Sequence, residues 1–288
     1  MTIVITGANG EFGRGVLNAV AALASGQRIV ASVRDVARGA DLRERGIEVR
    51  PGSFDEPDAL PAAFSGADTV FINATFFGAD TELRGRRVAT AIRAAARAGA
   101  ARIVLPTWPN LDHAALPNVQ DYAESERLVQ QAGPSWTILR LGYGLADAAA
   151  RDVIWARRDG ALVAPAAAAR CTPAAVPDLV DATALTIVGP GHENVRYELT
   201  GPRAIDWSDL AALAASMDGR DIRYRPVDDD EYRAYLAGQG LSGPVTDGLL
   251  GLYAEFRSGW AATPSPDLGR LLGRDLVDTL DAVARRVR

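Results

Sequence analysis

The sequence predicts an α/β fold, a doubly wound parallel sheet followed by a smaller C-terminal α+β domain. Three observations support this. In residues 2–140, short β-branched runs alternate with segments of helical periodicity, as in a parallel sheet with helical crossovers. A glycine-rich segment follows the first predicted strand directly. After residue 144 the regular alternation stops and an Ala-rich stretch begins. We therefore predict a first domain over 1–144, to which 177–200 returns, and a second domain formed mainly by 145–288.

The predicted elements follow from local patterns. Runs rich in Val and Ile predict six strands in the first half, at 2–5, 28–33, 47–50, 68–73, 102–105 and 136–140. Apolar residues at helical spacing predict helices between them, at 14–25, 59–64, 82–98 and 122–131. The second half shows two strands, at 196–200 and 221–227, and helices at 176–188, 207–217, 228–236, 245–256 and 275–287. A proline at 226 puts the strand at 221–227 on a sheet edge.

Composition narrows the functional classes. The net charge of -5 and the pI of about 5.2 argue against a nucleic-acid surface, which needs a concentrated basic face. All 31 basic residues are arginines, so no lysine can act as a Schiff base or general base. Cys171 is a single cysteine and cannot form an intramolecular disulfide. With no signal-peptide pattern and no apolar run near the roughly 20 residues that span a bilayer, we expect a cytoplasmic protein without a membrane segment.

The glycine-rich segment has the context of a phosphate-binding loop. Thr6, Gly7, Ala8, Asn9, Gly10, Glu11, Phe12 and Gly13 lie between a predicted strand and a predicted helix. Glycines let backbone N–H groups approach a pyrophosphate, and the helix N-terminus then faces the anion with its partial positive charge. The alternative is a glycine-rich turn without a ligand. The combined pattern predicts a dinucleotide-binding Rossmann domain.

The ends of the next strands suggest which dinucleotide binds. Arg34 follows the second strand, where an arginine suits the 2′-phosphate of NADP and an acid would suit the ribose of NAD. Arg38 comes one turn later, and the sequence predicts NADP(H) as the cofactor. Asp55 either contacts the adenine amino group or caps the helix that follows. Beyond the fourth strand, we expect three residues to lie over the ribose and nicotinamide: Asn73, Ala74 and Thr75.

Five segments together resemble a known family, the NmrA-like branch of the atypical short-chain dehydrogenase/reductases. They are the glycine loop 6–13, the strand end 33–35, the strand 136–140, and the segments 176–181 and 197–202. The resemblance covers nearly the whole chain and is closest to the NADPH-dependent quinone oxidoreductases of that branch. It implies a Rossmann domain, a small substrate domain, and a substrate held between them. The family also includes cofactor-binding regulators without activity, so the fold alone does not establish function.

The resemblance also indicates where catalytic residues belong. In many relatives a Tyr-x-x-x-Lys pair follows a strand that ends in Ser or Thr, and the tyrosine protonates the substrate carbonyl. Thr107 and Tyr122 occupy the Ser/Thr and Tyr positions, but Glu126 stands in place of the lysine. A carboxylate there would raise the pKa of the tyrosine. His113, in the loop after Thr107, is a further candidate acid.

Trp108 and Tyr143 are candidates for an aromatic wall against a flat substrate, and packing in the core is the alternative for both. The acidic run at 228–231 is typical of a helix start rather than of a metal site, and we predict no metal ligands. We expect an NADPH-dependent reductase of a quinone, enone or other carbonyl compound. The alternatives are an NADP(H)-binding redox sensor and a redox-neutral enzyme on the same scaffold. A small-molecule substrate and no nucleic acid are expected as partners, and a C-terminal helix pair could support a homodimer.

Overall fold

A computed structural model describes residues 1–74, 80–115, 119–241 and 243–287. The chain divides into two compact units. The first unit comprises Met1–Leu111, Asn118–Leu141 and Pro177–Glu198. The second comprises Asp112–Pro117, Gly142–Val176 and Leu199–Arg288. That these units serve as an NADP-binding and a substrate-binding domain stays a prediction.

The strands, in chain order, are β1 (Thr2–Thr6), β2 (Arg28–Val33), β3 (Glu48–Pro51), β4 (Thr69–Phe71), β5 (Arg102–Thr107), β6 (Ser135–Leu141), β7 (Leu162–Ala164), β8 (Arg170–Cys171), β9 (Val195–Leu199), β10 (Ile205–Asp206) and β11 (Tyr224–Pro226). The α-helices are α1 (Glu11–Leu23), α2 (Ala40–Glu44), α3 (Leu60–Ala63), α4 (Thr81–Arg97), α5 (Gln120–Gln131), α6 (Tyr143–Asp159), α7 (Val176–Val188), α8 (Trp207–Asp218), α9 (Asp229–Gly238), α10 (Pro244–Ser258), α11 (Asp267–Leu272) and α12 (Thr279–Val287).

The central sheet has seven strands in the order β3-β2-β1-β4-β5-β6-β9. All pairs from β3 to β6 are parallel. Strand β9 lies parallel to β6. Two backbone hydrogen bonds at the ends of the pair join them, from Asn194 N–H to Trp136 O (2.6 Å) and from Gly142 N–H to Leu199 O (2.9 Å). The order reverses between β1 and β4, which creates a topological switch point. The predicted doubly wound Rossmann fold is confirmed.

The sheet is stable because its strands are apolar on both faces, as expected when helices cover both sides. One side packs α3, α4 and α5 against the strands through a fully or nearly fully buried cluster that includes Val4, Val30, Phe64, Val70, Ile72, Ile92, Ile103, Val129 and Ile138. This cluster fixes the positions of the strand ends, and therefore of the residues that follow them.

Helix α1 begins at Glu11, three residues earlier than the sequence predicts. The expected start at 14 was wrong because the last glycine of the loop, Gly13, already lies in the first helical turn. Gly10 is the N-cap residue, with extended backbone angles (φ -90°, ψ 161°) and no side chain to cap the helix.

The second unit contains a helix that the sequence did not predict, α6, in the Ala-rich stretch after residue 144. It packs against α8 and α12. Two small sheets complete the unit, an antiparallel β8–β10 pair and a parallel β7–β11 pair. Asp206 caps α8, and Asp228 caps α9 by accepting a bond from the Glu231 N–H (2.8 Å), which confirms the acidic run as a helix start. In the described ranges, no helix is both long enough and apolar enough to cross a bilayer.

Candidate functional site

A cleft of about 770 Å³ lies in the first unit at the carboxyl ends of β1, β2 and β4. Nine residues that the sequence singles out line it: Thr6, Gly7, Asn9, Gly10, Arg34, Arg38, Asp55, Asn73 and Ala74. Glu11, Phe12 and Gly13 belong to the first turn of α1 and do not line the cleft. Thr75 lies outside the described residues. The lining also includes residues that the sequence analysis did not propose as contacts: Ser32, Val33, Asp35, Gly52, Phe54 and Arg87.

The glycine loop is too tight for any other residue at two of its positions. Gly7 has a φ of +66°, in the left-handed region that favours glycine, and a β-carbon there would lie 2.8 Å from the Asn73 carbonyl oxygen. A β-carbon on Gly13 would lie 2.3 Å from the Gly7 oxygen. The loop is closed by a bond from Gly10 N–H to Gly7 O (3.0 Å). Thr6 Oγ1 accepts a bond from Asn73 N–H (2.8 Å), which joins the ends of β1 and β4.

This bare backbone leads directly into α1, so the positive end of the helix dipole points toward the loop. A pyrophosphate fits such a cradle because it needs close backbone N–H groups and a positive field. The residues present therefore fit the diphosphate of a dinucleotide.

Two arginines at the end of β2 extend the site. Arg34 and Arg38 are exposed and line the cleft, and neither forms a salt bridge with any residue in the described ranges. The intervening Asp35 is engaged elsewhere: its carboxylate accepts a bond from Ala37 N–H (3.0 Å), and its carbonyl accepts one from Asn9 Nδ2 (3.1 Å). The Asp35 carboxylate thus holds the local turn and does not pair with Arg34 or Arg38.

Asp55 forms a bidentate ion pair with Arg87 of α4 (2.8 and 2.6 Å). The hydrogen bonds from Arg87 lower the pKa of the Asp55 carboxyl. The suggestion that Asp55 caps the following helix is wrong, because α3 begins at Leu60 with Ala59 as its N-cap. The adenine contact stays a prediction. Arg87 could not be identified from the sequence, because its partner lies 32 residues away and its own helix contains several similar arginines.

Thr107 ends β5 and is part of a buried ionic network. Its hydroxyl donates to Glu126 Oε1 (2.7 Å), and Arg140 donates to both oxygens of Glu126 (2.9 Å each). Arg140 also bonds Glu198 (2.9 Å), whose other oxygen accepts the Asn110 N–H (2.9 Å). Burial raises the pKa of the Glu198 carboxyl. The network joins the ends of β5, β6 and β9 to helix α5.

Tyr122, the candidate acid, lies in a closed environment. Its side chain is 3% exposed and stacks on Trp108 (5.9 Å between ring centres). The Arg84 guanidinium lies over the ring, with its Cζ 4.4 Å from the centre of the Tyr122 ring. Arg84 is held in turn by Asp121. The Tyr122 hydroxyl has no hydrogen-bond partner among the described residues. Burial is the main cause that raises the pKa of Tyr122 to about 12.

The raised pKa agrees in direction with the sequence-based expectation, but the expected cause was wrong. The Glu126 carboxylate pairs with Arg140 and accepts a bond from Thr107, and the Tyr122 phenol is not among its hydrogen-bond partners. The carboxylate that does raise the Tyr122 pKa is Asp121, with a smaller effect than burial.

The three remaining predicted residues are divided between the two units. His113 is exposed at the end of a short 3-10 helix (Leu111–His113), and Tyr143 is the first residue of α6. Trp108 belongs to the first unit and is 8% exposed. The structure thus brings Thr107, Trp108 and Tyr122 into one unit and His113 and Tyr143 into the other.

Comparison with known proteins identifies the family. The NAD(P)H-binding family matches residues 7–171, more than half of the chain. The chain is 27% identical to quinone oxidoreductase 2 of Escherichia coli (strain K12) over 286 residues, which cover 98% of this chain and 97% of that protein. It is 27% identical to an NAD(P)H azoreductase of Xenophilus azovorans over 228 residues, 78% of this chain and 77% of that protein.

A solved structure of an NADPH-dependent quinone oxidoreductase from Escherichia coli, complexed with NADPH, superimposes with a TM-score of 0.91. The two chains are 25% identical and cover each other completely. These findings confirm the resemblance drawn from the sequence. The chain belongs to the NAD(P)H-binding family.

Proposed function

We propose that the protein is an NADPH-dependent reductase of flat, quinone-like or azo-aromatic molecules. The observation that carries the proposal is the cleft, in which a glycine cradle at a helix N-terminus lies beside two arginines that form no salt bridge with the part of the chain that the structure describes. NADH lacks the 2′-phosphate that such arginines suit. The substrate class is supported by the relatives, which are named as quinone and azo reductases.

In this proposal each part of the cleft has one role. The loop from Gly7 to Gly13 binds the pyrophosphate, and Arg34 and Arg38 bind the 2′-phosphate. Asp55, held by Arg87, lies on the adenine side, and Asn73 with its neighbour Ala74 lies toward the nicotinamide ribose. NADPH bound in this way supplies a hydride to the acceptor.

Substrate orientation is the proposed role of Thr107, Tyr122 and His113, with Trp108 and Tyr143 as aromatic contacts. Thr107 already donates its single proton to Glu126, so its oxygen cannot donate to a quinone carbonyl and is suited to accept a bond from the hydroxyl of the reduced product. Tyr122, with a pKa of about 12, stays protonated, so its hydroxyl keeps a proton that it can donate in a hydrogen bond. A quinone suits this arrangement because it accepts hydride with little help from an acid.

One observation favours a second candidate, a redox sensor that binds NADP(H) without turnover. Tyr122 has neither a lysine partner nor the lowered pKa that a proton donor needs, since burial shifts the pKa of its hydroxyl upward. A redox-neutral reaction on the same scaffold is equally compatible with this feature.

Fluorescence titration with NADPH and NADH, followed by 1,4-naphthoquinone and an azo dye, tests the proposal. We expect NADPH to bind at least about tenfold more tightly than NADH, and its absorbance to fall when an acceptor is added. Arg34→Ala should weaken NADPH about tenfold, as expected for the loss of a charge-assisted bond, and leave NADH unchanged.

Arg28→Ala is the matched control, because Arg28 lies at the opposite, amino end of the same strand and pairs with Glu48. Tight NADPH binding without oxidation by any acceptor would favour the sensor or the redox-neutral enzyme. Equal affinity for the two nucleotides would contradict the cofactor assignment.

A further inference from the structure

An arginine outside the cleft joins the two loops that form it. Arg14 lies in the second turn of α1 and does not line the cleft. Its Nε donates to the Ala8 carbonyl (2.7 Å), and its Nη1 forms an ion pair with Asp41 (2.6 Å). Its Nη2 lies 3.4 Å from Asn9 Oδ1 and 3.5 Å from the Arg38 carbonyl oxygen. One guanidinium therefore contacts both the glycine loop and the segment that carries the two cleft arginines.

The Arg14 side chain is 24% exposed, so three-quarters of it is shielded from water. Four acceptors in different directions match the rigid fork of a guanidinium, whereas a lysine could satisfy fewer of them. A second link, from Asn9 Nδ2 to the Asp35 carbonyl (3.1 Å), runs parallel to it.

The segment from Arg34 to Asp41 has few other means of keeping its position. It contains a single turn of 3-10 helix (Ala37–Gly39) and the start of α2, which has only five residues. Arg34, Asp35, Ala37 and Arg38 are all exposed. Binding a ligand through such a segment costs backbone as well as side-chain entropy, and the backbone part is smaller when the segment is already held.

We propose that Arg14 is a specificity-positioning residue: it holds the 34–41 segment against the glycine loop so that Arg34 and Arg38 are set for a 2′-phosphate. This inference rests on the proposed preference for NADPH. The pyrophosphate and adenine are common to NADPH and NADH, whereas only the 2′-phosphate depends on these arginines. Loss of Arg14 should therefore change the ratio of the two affinities and not merely their size.

The test compares dissociation constants for NADPH and NADH in Arg14→Met, which keeps the apolar stem and removes the fork. We expect about tenfold weaker NADPH binding, with NADH affinity within about threefold of the wild-type value. Arg14→Lys should behave like Arg14→Met, because charge alone does not restore the fork. Arg28→Met, which breaks an exposed Arg–Glu pair at the far end of β2, is the matched control and should change neither constant.

Equal weakening of NADPH and NADH in Arg14→Met would overturn the proposal, because Arg14 would then support only the glycine loop. Unchanged constants, or a normal ratio in Arg14→Lys, would overturn it as well. If Arg14→Met does not fold, Asp41→Asn decides: Asp41 is exposed and lies outside the glycine loop, and an unchanged ratio there refutes the inference. A wild-type protein that does not distinguish the nucleotides would instead contradict the proposed function.

Discussion

At the scale of single residues, Gly13 is a position in the glycine loop that leaves no room for a side chain. A β-carbon there would lie 2.3 Å from the Gly7 carbonyl oxygen, so Gly13→Ala must move the loop backbone. We expect the free energy of unfolding to fall by about 1–3 kcal/mol, the usual cost of overpacking, and NADPH affinity to fall at least about tenfold. Chemical denaturation and fluorescence titration measure the two effects.

Gly144→Ala is the control, because Gly144 lies in helix α6 and, apart from the backbone of that helix, no atom of the described ranges lies within 4 Å of an added β-carbon. It should stabilise the protein by about 0.5–1 kcal/mol through helix propensity. Wild-type NADPH affinity in Gly13→Ala would show that the loop does not bind the pyrophosphate.

Residues at strand ends could be predicted from the sequence, whereas their long-range partners could not. Gly7 and Arg34 each follow a recognisable strand, and the fold determines where strand ends lie. Arg87 sits in a helix with several similar arginines, whereas Arg14 is the single arginine of α1. Their acidic partners, Asp55 and Asp41, are 32 and 27 residues away. No local spacing reports such a contact.

At the scale of elements, Asp152 joins three helices of the second unit. Its carboxylate, 4% exposed on α6, accepts bonds from Trp207 Nε1 of α8 (2.8 Å) and the Tyr253 hydroxyl of α10 (2.5 Å), and pairs with Arg151 (2.8 Å). Asp152→Ala should lower the free energy of unfolding by about 3–5 kcal/mol, because it leaves buried polar partners without an acceptor.

Tyr253→Phe should cost less, about 1.5–3 kcal/mol, since it removes one bond to the Asp152 carboxylate and a longer one from Arg151 (3.3 Å) but leaves the Trp207 bond in place. Asp247→Ala, which removes an exposed partner of Arg233, should stay within about 1 kcal/mol of wild type. Urea denaturation followed by tryptophan fluorescence measures all three, and equal midpoints for Asp152→Ala and Asp247→Ala would contradict this account.

The turn between α7 and β9 gives the protein a pH-dependent contribution to stability. His192 Nδ1 lies 2.8 Å from the Tyr197 hydroxyl, and burial, followed by the charge of Arg102, lowers the pKa of its imidazole. The unfolded chain therefore binds a proton, near pH 6.5, more readily than the native state does. The stabilisation from neutral His192 is fully present above about pH 6.5 and is lost as the pH falls below that value.

His192→Asn removes the titrating group and should flatten this dependence. Between about pH 8 and about pH 5.5, the wild-type free energy of unfolding should fall by more than that of the variant. Paired urea titrations at the two pH values measure the difference. Identical losses would show that His192 does not carry the effect.

Helix α6 shows why the second unit was harder to predict than the first. Its sequence is rich in alanine, which favours a helix but gives a weak apolar periodicity, so no amphipathic stripe is apparent. The buried face consists mostly of small residues and packs closely against α8 and α12. In the first unit, by contrast, long Val- and Ile-rich strands alternate with helices and indicate the fold directly.

At the scale of the whole molecule, the chain passes between the two units after Leu111, Pro117, Leu141, Val176 and Glu198. Bonds that join 142–176 to the C-terminal part hold the second unit together: Gly201 N–H to Thr172 O (2.9 Å), Thr172 Oγ1 to Ala261 O (3.1 Å) and Arg286 to Asp147 (2.6 Å). The segment 177–198 instead belongs to the first unit, where β9 pairs with β6.

This connectivity predicts different outcomes for two shortened chains. A chain that ends after Glu198 keeps α6 but loses α8 and α12, against which the buried face of α6 packs. It should aggregate, because that apolar face is then exposed.

The second chain has a flexible Gly-Ser linker that joins Leu141 to Pro177, and it also ends after Glu198. It keeps all seven strands of the sheet almost intact. It should fold and bind NADPH within about tenfold of the full chain, because every described residue of the cleft lies in the first unit. Size-exclusion chromatography and fluorescence titration measure both outcomes. A monodisperse first chain would contradict the role of α6, and a folded second chain without NADPH binding would contradict the assignment of the cofactor site to the first unit.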